Sequence, residues 1–199
     1  MKKVLFLMSA MLVLTLNCFS QKLVITKDGF RDSSNLNNGY VVINVDGKTA
    51  KQLFDNAIVF VNKAYKNPDK VITGKIDTTS LAINGYADIL IKITTMPNGK
   101  PRKKEISTIL CSTYNIQLSF KNNKVKFEII DIDFYWNTYN GKENLYFQGT
   151  KGLYGATGIY DADGNLKLLD YKACIENYFN GYIQSLMIVL AGKSNVDSW

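Results

Sequence analysis

A two-residue alternation over residues 106–120 constrains the fold of this 199-residue chain more than any other feature of its sequence. Because successive side chains of a strand point to opposite faces, the alternation predicts a strand with one buried face and one solvated face. Strands of this kind are typical of antiparallel sheets. The predicted buried face carries Leu110, Tyr114, Ile116, Leu118 and Phe120, and the predicted solvated face carries Ser107, Cys111, Thr113, Asn115, Gln117 and Ser119.

The strands before and after this one are each interrupted. Apolar residues at odd positions from 81 to 93 predict the preceding strand, in which Gly85 and Tyr86 interrupt the pattern and indicate a bulge or bend. The following strand, residues 124–136, changes its apolar phase between Ile129 and Ile130, which also indicates a bulge. Shorter strands are predicted at residues 23–25, 40–45 and 71–76, with a loop over residues 26–39 and a small hairpin over residues 158–169.

Two segments have the period of an amphipathic helix. The first starts at Thr49, which forms a capping-box pair with Gln52, and ends before Pro68. The second runs over residues 171–190 and stops at Gly192. The sequence therefore predicts an α+β fold, a curved antiparallel sheet with two helices packed on one face. The predicted apolar stripes are Ala50, Leu53, Phe54, Ala57, Ile58, Val61, Ala64 and Tyr65 in the first helix, and Tyr171, Cys174, Ile175, Tyr178, Tyr182, Leu186, Val189 and Leu190 in the second.

Residues 1–20 have the three parts of a secretory signal peptide. Lys2 and Lys3 precede an apolar run over residues 4–16, and Ser20 is the small residue before the expected cut. The apolar run is shorter than the roughly 20 residues that span a bilayer. We therefore expect an exported, periplasmic or secreted protein whose mature chain has no integral membrane span. The expected organisation is a single domain over residues 21–192, with a flexible loop at 137–152, and a polar tail at 193–199.

Export bears on all three cysteines. Lipid anchoring at Cys18 is an alternative route of processing, but Asn17 is a poor fit to the small residue that precedes the cysteine of a lipoprotein signal. Soluble secretion is therefore preferred. An oxidising compartment would permit a disulfide between Cys111 and Cys174. Two separate thiols are predicted instead, because Cys111 falls on the solvated face of its strand.

The net charge of the chain is typical of a soluble exported protein. Cleavage removes two lysines and lowers the formal net charge from +7 to +5. A charge of this size suits solubility and contact with acidic glycans or head groups, and an exported location argues against a nucleic-acid partner. The basic cluster Lys100, Arg102, Lys103 and Lys104 is predicted to protect a hairpin tip from aggregation.

Several segments together resemble a known family. Gly47-Lys48-Thr49-Ala50, the helix that follows, the run from Asn67 to Ile72, the long meander and a polar tail ending in Trp199 are similar to a family of exported bacterial proteins of unknown function. The resemblance covers residues 40–136 and implies a TATA-binding-protein-like (TBP-like) fold. It transfers no functional residues, and it does not imply DNA binding, since a fold does not determine function.

Residues 143–149 are a full match to the recognition site of the potyviral protease that is used to remove purification tags, with the scissile bond between Gln148 and Gly149. The sequence leaves two origins open, an engineered insertion and a coincidence. It assigns these residues no biological role.

The absence of histidine from the sequence restricts the chemistry that the chain can perform. It excludes Ser-His-Asp and Cys-His nucleophiles and the usual zinc sites. No catalytic residue, cofactor or metal is predicted. Asp161, Asp163 and Asn165 lack the spacing of a calcium loop and are interpreted as a hairpin tip. Glu128, Asp131 and Asp133 support an alternative hypothesis, a carboxylate-based glycan-active enzyme.

Aromatic residues give the preferred hypothesis for binding. Phe134, Tyr135, Trp136 and Tyr139 lie at one strand end, where rings could stack on sugars or anchor a partner, although alternation should bury about half of them. The predicted function is an exported non-catalytic binding or interaction module with an unknown ligand or envelope-protein partner. Pairing through an exposed edge strand is a further way in which such a module could bind.

Overall fold

The computed structural model of the chain describes residues 22–95, 104–139, 141–152 and 155–193. The predicted signal peptide with Cys18, most of the basic cluster and residues 194–199 of the predicted tail lie outside the described residues. The strands are β1 (Leu23–Thr26), β2 (Gly29–Asp32), β3 (Tyr40–Asn44), β4 (Ile72–Ile76), β5 (Ser80–Thr95), β6 (Lys104–Lys121), β7 (Lys124–Thr138), β8 (Gly141–Gln148) and β9 (Gly158–Tyr160). The helices are α1 (Ala50–Ala64), α2 (Pro68–Val71) and α3 (Leu169–Leu190).

One curved sheet carries most of the chain. Its strands follow the order β4-β5-β6-β7-β8-β9, with β3 also paired to β7. All of these pairs are antiparallel except β8 with β9. Strand β6 pairs with one edge of β7. The other edge of β7 pairs with two strands: with β3 at β7 residues 124–128, and with β8 at β7 residues 134–138. The hairpin β1–β2 forms a separate two-stranded sheet.

The predicted alternation of β6 is confirmed. Leu110, Ile116 and Leu118 are fully buried, while Thr113 on the opposite face is exposed. Cys111 also lies on that opposite face but is buried, because Tyr135 is its neighbour on β7 and Asn137 donates a hydrogen bond from Nδ2 to its Sγ over 3.4 Å.

The two predicted interruptions have different outcomes. The bulge in β7 is confirmed, because Ile129 pairs with Ile116 and Asp131 pairs with Asn115, which leaves Ile130 unpaired and exposed. A bulge at Gly85 and Tyr86, one of the two forms predicted for that interruption, is wrong. Strand β5 pairs with β6 without a shift of register from Ser80 to Thr95, and the glycine has a packing role that is described below.

Both long helices lie on one face of the sheet, as predicted. Thr49 and Gln52 form the complete capping box at the start of α1. α1 contacts β6 and β7, α3 contacts β5, and the two helices contact each other. The buried stripe of α3 is rotated from the predicted one, since Phe179 and Ile183 are buried while Tyr178 and Tyr182 are half-buried. One continuous apolar core lies between the helices and the sheet.

Two strands lie where the sequence predicted loops. β2 falls within the predicted loop over residues 26–39, and its Phe30 is buried. β8 falls within the predicted flexible loop over residues 137–152, which corrects that assignment. Its Leu145 is buried and its Phe147 packs against the core, so a short alternation was hidden among polar residues. The protease-site-like segment is thus mostly a strand of the sheet.

Cys111 and Cys174 are free thiols. Cys174 packs on the core side from α3, whereas Cys111 faces away from the core. The sheet therefore lies between them. None of the helices in the described part of the chain is both long enough and apolar enough to cross a membrane.

Candidate functional site: a tyrosine-lined pocket

A pocket of about 490 Å³ lies where α1 and α3 meet the middle of the sheet. Its volume falls within the range of small-molecule sites, roughly 300–1,000 Å³. Elements that are far apart in the sequence each contribute to its wall. The lining residues are Phe60, Ala64, Tyr65, Tyr86, Tyr114, Tyr178, Gly181, Tyr182 and Ser185.

Gly85 makes room for the tyrosine that forms the floor of the pocket. It lies directly opposite Tyr114 across the β5–β6 ladder. A Cβ atom at residue 85 would lie only 2.2 Å from Cε2 of Tyr114, a distance that atoms do not tolerate. The Tyr114 ring therefore covers the glycine, an arrangement in which an aromatic ring fills the space left by a missing side chain.

Three tyrosine hydroxyls from three elements form a chain of hydrogen bonds. Tyr65 Oη, which follows α1, lies 3.1 Å from Tyr114 Oη on β6 and 3.2 Å from Tyr182 Oη on α3. Each hydroxyl has one hydrogen to donate, so three hydroxyls joined by two bonds retain one unused hydrogen. An acceptor oxygen of a ligand, or of water, can take it.

Burial keeps these hydroxyls protonated. It is the main cause that raises the pKa of Tyr65, Tyr114 and Tyr182 above the usual tyrosine value of about 10. All three groups are therefore neutral at physiological pH, and they can donate and accept hydrogen bonds without carrying charge.

The rings are held by edge-to-face contacts. The centroids of Tyr182 and Phe60 lie 5.1 Å apart, and those of Tyr114 and Phe179 lie 5.5 Å apart, with interplanar angles of 77° and 83°. Such pairs are favourable beyond their buried area. The positions of the hydroxyls are thus fixed by packing before any ligand binds.

The residues that line the pocket in the described part of the chain are all uncharged. A charged ligand would lose its hydration there without gaining an ion-pair partner, which is costly. The pocket therefore suits an uncharged molecule that has an apolar body and at least one acceptor oxygen.

The four aromatic residues predicted from the sequence do not share one surface. Phe134 is buried in the core and Trp136 packs edge-to-face on Tyr171 of α3, with ring centroids 5.8 Å apart. Tyr135 lies on the other face, where Lys142 Nζ is 4.1 Å from its ring centroid. Tyr139 is fully exposed in the turn after β7. Alternation along β7 separates the set, and none of the four lines the tyrosine pocket.

Two of the three carboxylates of the alternative hypothesis line one pocket and the third does not. Glu128 forms an ion pair with Lys126 over 2.6 Å. Glu128 and Asp131 line a second pocket, about 400 Å³, in the gap between β3 and β8, where Arg31 is also present. Asp133 is exposed and does not line that pocket. A glycan-active enzyme would need a pair of carboxylates across a cleft, and that arrangement stays a prediction.

The Asp161 segment forms a tight turn. Asp161 Oδ1 accepts hydrogen bonds from the backbone N–H groups of Asp163 and Asn165, over 3.0 and 2.8 Å. The bond from Asn165 is the main cause that lowers the pKa of the Asp161 carboxyl. These bonds account for the Asp- and Asn-rich composition of the turn through backbone hydrogen bonding.

Comparisons with known proteins bear on the fold. No family model matches the chain, and no curated protein matches it in sequence. A crystal structure of a TBP-like protein from Parabacteroides distasonis matches at a TM-score of 0.51 and 10% identity, over 77% of this chain and 94% of that one. The fold is TBP-like. A crystal structure of a DUF4468 family protein from Bacteroides ovatus matches at a TM-score of 0.50 and 12% identity, over 80% of this chain and 88% of that one.

These likenesses confirm the TBP-like fold that the resemblance of residues 40–136 implied. At 10–12% identity they show the fold alone, so they assign no ligand to the tyrosine pocket. The sequence placed Tyr65, Tyr178 and Tyr182 on apolar helix stripes and Tyr114 on the buried strand face. One feature of the sequence could have identified these tyrosines as site residues. Each lies on a predicted buried face and has a hydroxyl that needs a hydrogen-bond partner there.

Proposed function

We propose that this TBP-like domain is a non-catalytic binding module whose tyrosine-lined pocket takes a small uncharged ligand. The observation that carries the proposal is the hydroxyl chain of Tyr114, Tyr65 and Tyr182, which has one donor to spare in a pocket without charged lining residues. The ligand class follows from these groups: an apolar ring or chain that contacts the tyrosine rings, bearing a hydroxyl or carbonyl oxygen that accepts the spare hydrogen.

Two probes of nearly equal shape test the charge requirement. Cyclohexyl methyl ketone offers one neutral acceptor oxygen, and cyclohexanecarboxylate places an anion on the same ring. Titration of each into the ¹⁵N-labelled mature chain, followed by NMR, should shift the amide signals around Tyr65, Tyr114 and Tyr182 with the ketone alone. Equal binding of the two probes, or no binding of the ketone at tens of millimolar, would reject the proposed ligand class.

The hydroxyl chain is tested by removing its central member. Tyr65→Phe retains the ring and removes the oxygen that holds and polarises the other two hydroxyls. Tyr114 and Tyr182 keep their hydrogens but lose the partner that orients them, so the ketone should bind about fivefold more weakly, the effect of about one hydrogen bond. Tyr139→Phe is the matched control, because Tyr139 is fully exposed and lies outside the pocket. Equal loss of affinity in both variants would show that the hydroxyl chain does not contribute.

The setting that we propose for this module is outside the cytoplasm, after removal of residues 1–20. Support comes from the basic start, apolar run and small residue at position 20 in the sequence. Expression of the full chain in a bacterium and intact-mass measurement of the exported fraction should give a chain that begins at Gln21. A chain that retains Met1 in the cytoplasm, or one that carries lipid on Cys18, would contradict soluble export.

A further inference from the structure

The outer edge of β5 is open over most of its length. β4 pairs with it only at its start, from Ile72 opposite Ile83 to Ile76 opposite Ser80. In the described part of the chain, no strand is paired with the outer edge at residues 84–95. This stretch is regular, because its pairing with β6 on the inner side has no shift of register. A long and regular free edge is a template for a further strand.

A different edge in the same protein is covered. Asn180 of α3 donates from Nδ2 to the backbone oxygen of Leu23 and accepts from the backbone nitrogen of Leu23, both over 2.9 Å. The backbone nitrogen of Ile25 donates to Glu176 Oε1 over 2.6 Å, and Tyr160 donates to the backbone oxygen of Ile25 over 2.8 Å. Side chains thus take up the backbone hydrogen-bonding groups of Leu23 and Ile25 in the short edge strand β1. Among the described residues, no side chain forms a hydrogen bond with the backbone of residues 84–91.

On one face of the open edge strand, the side chains are already buried in the core. Ala87, Ile89 and Ile91 are buried beneath the helix layer. On the solvent face, Leu90 is 52% exposed, and its cross-strand neighbour Ile109 is 54% exposed. Asp88 and Lys92 lie on the same solvent face, two positions before and two positions after Leu90.

Registers for pairing this edge with itself can be enumerated. Residues that lie opposite each other in antiparallel strands have their side chains on the same face of the sheet. When a strand pairs with a copy of itself, the two opposite residues must therefore be an even number of positions apart. The two-fold axis then passes midway between them, at a residue that lies opposite its own copy. Axes at Ile89 and at Leu90 both use nearly the whole stretch from 84 to 95. An axis at Ile89 places Asp88 opposite Leu90 of the second strand. An axis at Leu90 places Asp88 opposite Lys92 twice, once on each side of the axis.

We propose that β5 of one chain pairs antiparallel with β5 of a second copy, with the two-fold axis at Leu90. The pairing joins two sheets into one and adds about ten backbone hydrogen bonds. It brings Leu90 against Leu90 of the second copy, Ile89 against Ile91, and Asp88 against Lys92. Opposite charges and apolar pairs that face each other directly stabilise a ladder. This self-association extends the proposed function, and one residue of the paired stretch, Tyr86, also lines the tyrosine pocket.

A single cysteine tests both the surface and the register. In a Cys111→Ala/Cys174→Ala background, Leu90→Cys places two thiols directly opposite each other, at a Cα separation of about 4.5–5.5 Å that a disulfide accepts. Mild oxidation should convert most of the chain to a covalent dimer. Asn84→Cys is the matched control on the same exposed face of the strand. Its two thiols would lie about 40 Å apart in this register, given a rise of about 3.3 Å per residue, and should not cross-link.

Charge exchange provides a second test that does not depend on cysteine. Asp88→Lys and Lys92→Asp each replace both attractive pairs by repulsive ones and should weaken dimerisation about tenfold in sedimentation equilibrium. The combined variant should recover the affinity of the wild type. A wild-type chain that stays monomeric at several hundred micromolar would overturn the proposal. So would a dimer that Leu90→Cys does not trap, or a combined variant no better than the single ones.

Discussion

Gly85 of β5 and Tyr114 of β6 are directly opposite each other, and the ring of Tyr114 occupies the space in which a side chain at residue 85 would lie. This pair belongs to the β5–β6 ladder and also supplies the tyrosine that lines the pocket. The absent side chain on one strand leaves the space that the ring on the next strand fills. From that position the Tyr114 hydroxyl reaches Tyr65, and through it Tyr182 on the second long helix.

The first prediction concerns this pair. Gly85→Ala forces the Tyr114 ring to move, and overpacking of this kind costs about 1–3 kcal/mol. Urea denaturation should show that loss of stability, together with weaker binding of cyclohexyl methyl ketone. Gly181→Ala is the control for stability alone, because a Cβ at residue 181 would meet no heavy atom within 4 Å and alanine is the better helix former. That variant should be unchanged or more stable by up to about 1 kcal/mol. An unaltered Gly85→Ala would contradict the packing role.

The second prediction concerns alkaline pH. Since burial raises the pKa of Tyr65, Tyr114 and Tyr182 above the value of about 10 that tyrosine has in the unfolded chain, folding favours their neutral forms. The associated stability is fully present below pH 10 and is lost as the pH rises above 10. The urea midpoint should therefore fall more steeply between pH 9 and 11 in the wild type than in Tyr114→Phe.

Tyr139→Phe is the matched control for the alkaline experiment, since Tyr139 is fully exposed. Its urea midpoint should follow that of the wild type across the same pH range. Absorbance at 295 nm should show the buried tyrosines ionising only as the chain unfolds. Ionisation of every tyrosine near pH 10 in the folded protein would contradict the account.

The sequence was sufficient wherever one segment contained the whole signal. The period of two over β6 requires only that strand, and the capping box requires only Thr49 and Gln52, so both are confirmed. The bulge at Ile130 was visible because the apolar phase changes within one strand. In each case the physical cause and its sequence pattern lie within a few residues.

The sequence failed where the cause lies in a distant segment. A glycine in a strand is as compatible with a bulge as with a ring packed on it, and only the pairing with Tyr114 decides between them. β8 could not be recognised because its Leu145 and Phe147 become core residues only when β7 lies beside them. The tyrosine pocket was missed for the same reason: its hydroxyls come from residues 65, 114 and 182.

The third prediction concerns the protease-site-like segment. The scissile bond follows Gln148 at the end of β8, which is paired with β7 over residues 141–145 and with β9 at Tyr146 and Gln148. The potyviral protease needs an extended and accessible substrate, so it can cut only when this region opens. Native chain should be cut at least about a thousandfold more slowly than the same seven residues appended after Trp199. Equal rates at the two sites would contradict the placement of residues 143–149 in the sheet.

The fourth prediction concerns the cysteines. Cys111 and Cys174 lie on opposite sides of the sheet, so both should remain thiols under oxidising conditions. Thiol titration of residues 21–199 in urea without reductant should give two thiols for each chain. An intact mass lower by about 2 Da with no titratable thiol would show a disulfide and would place the two residues on the same side.

The central claim is that the tyrosine-lined pocket is where a neutral ligand binds, and filling that pocket tests it most directly. Gly181 lines the pocket and a Cβ there meets no heavy atom within 4 Å, so Gly181→Leu adds a bulky apolar group at the cavity from a position that accepts its first atom. The NMR titration with cyclohexyl methyl ketone should show binding to the wild type and none to Gly181→Leu, with the two proteins equally stable in urea. Undiminished binding by a folded Gly181→Leu would place the ligand elsewhere and contradict the account.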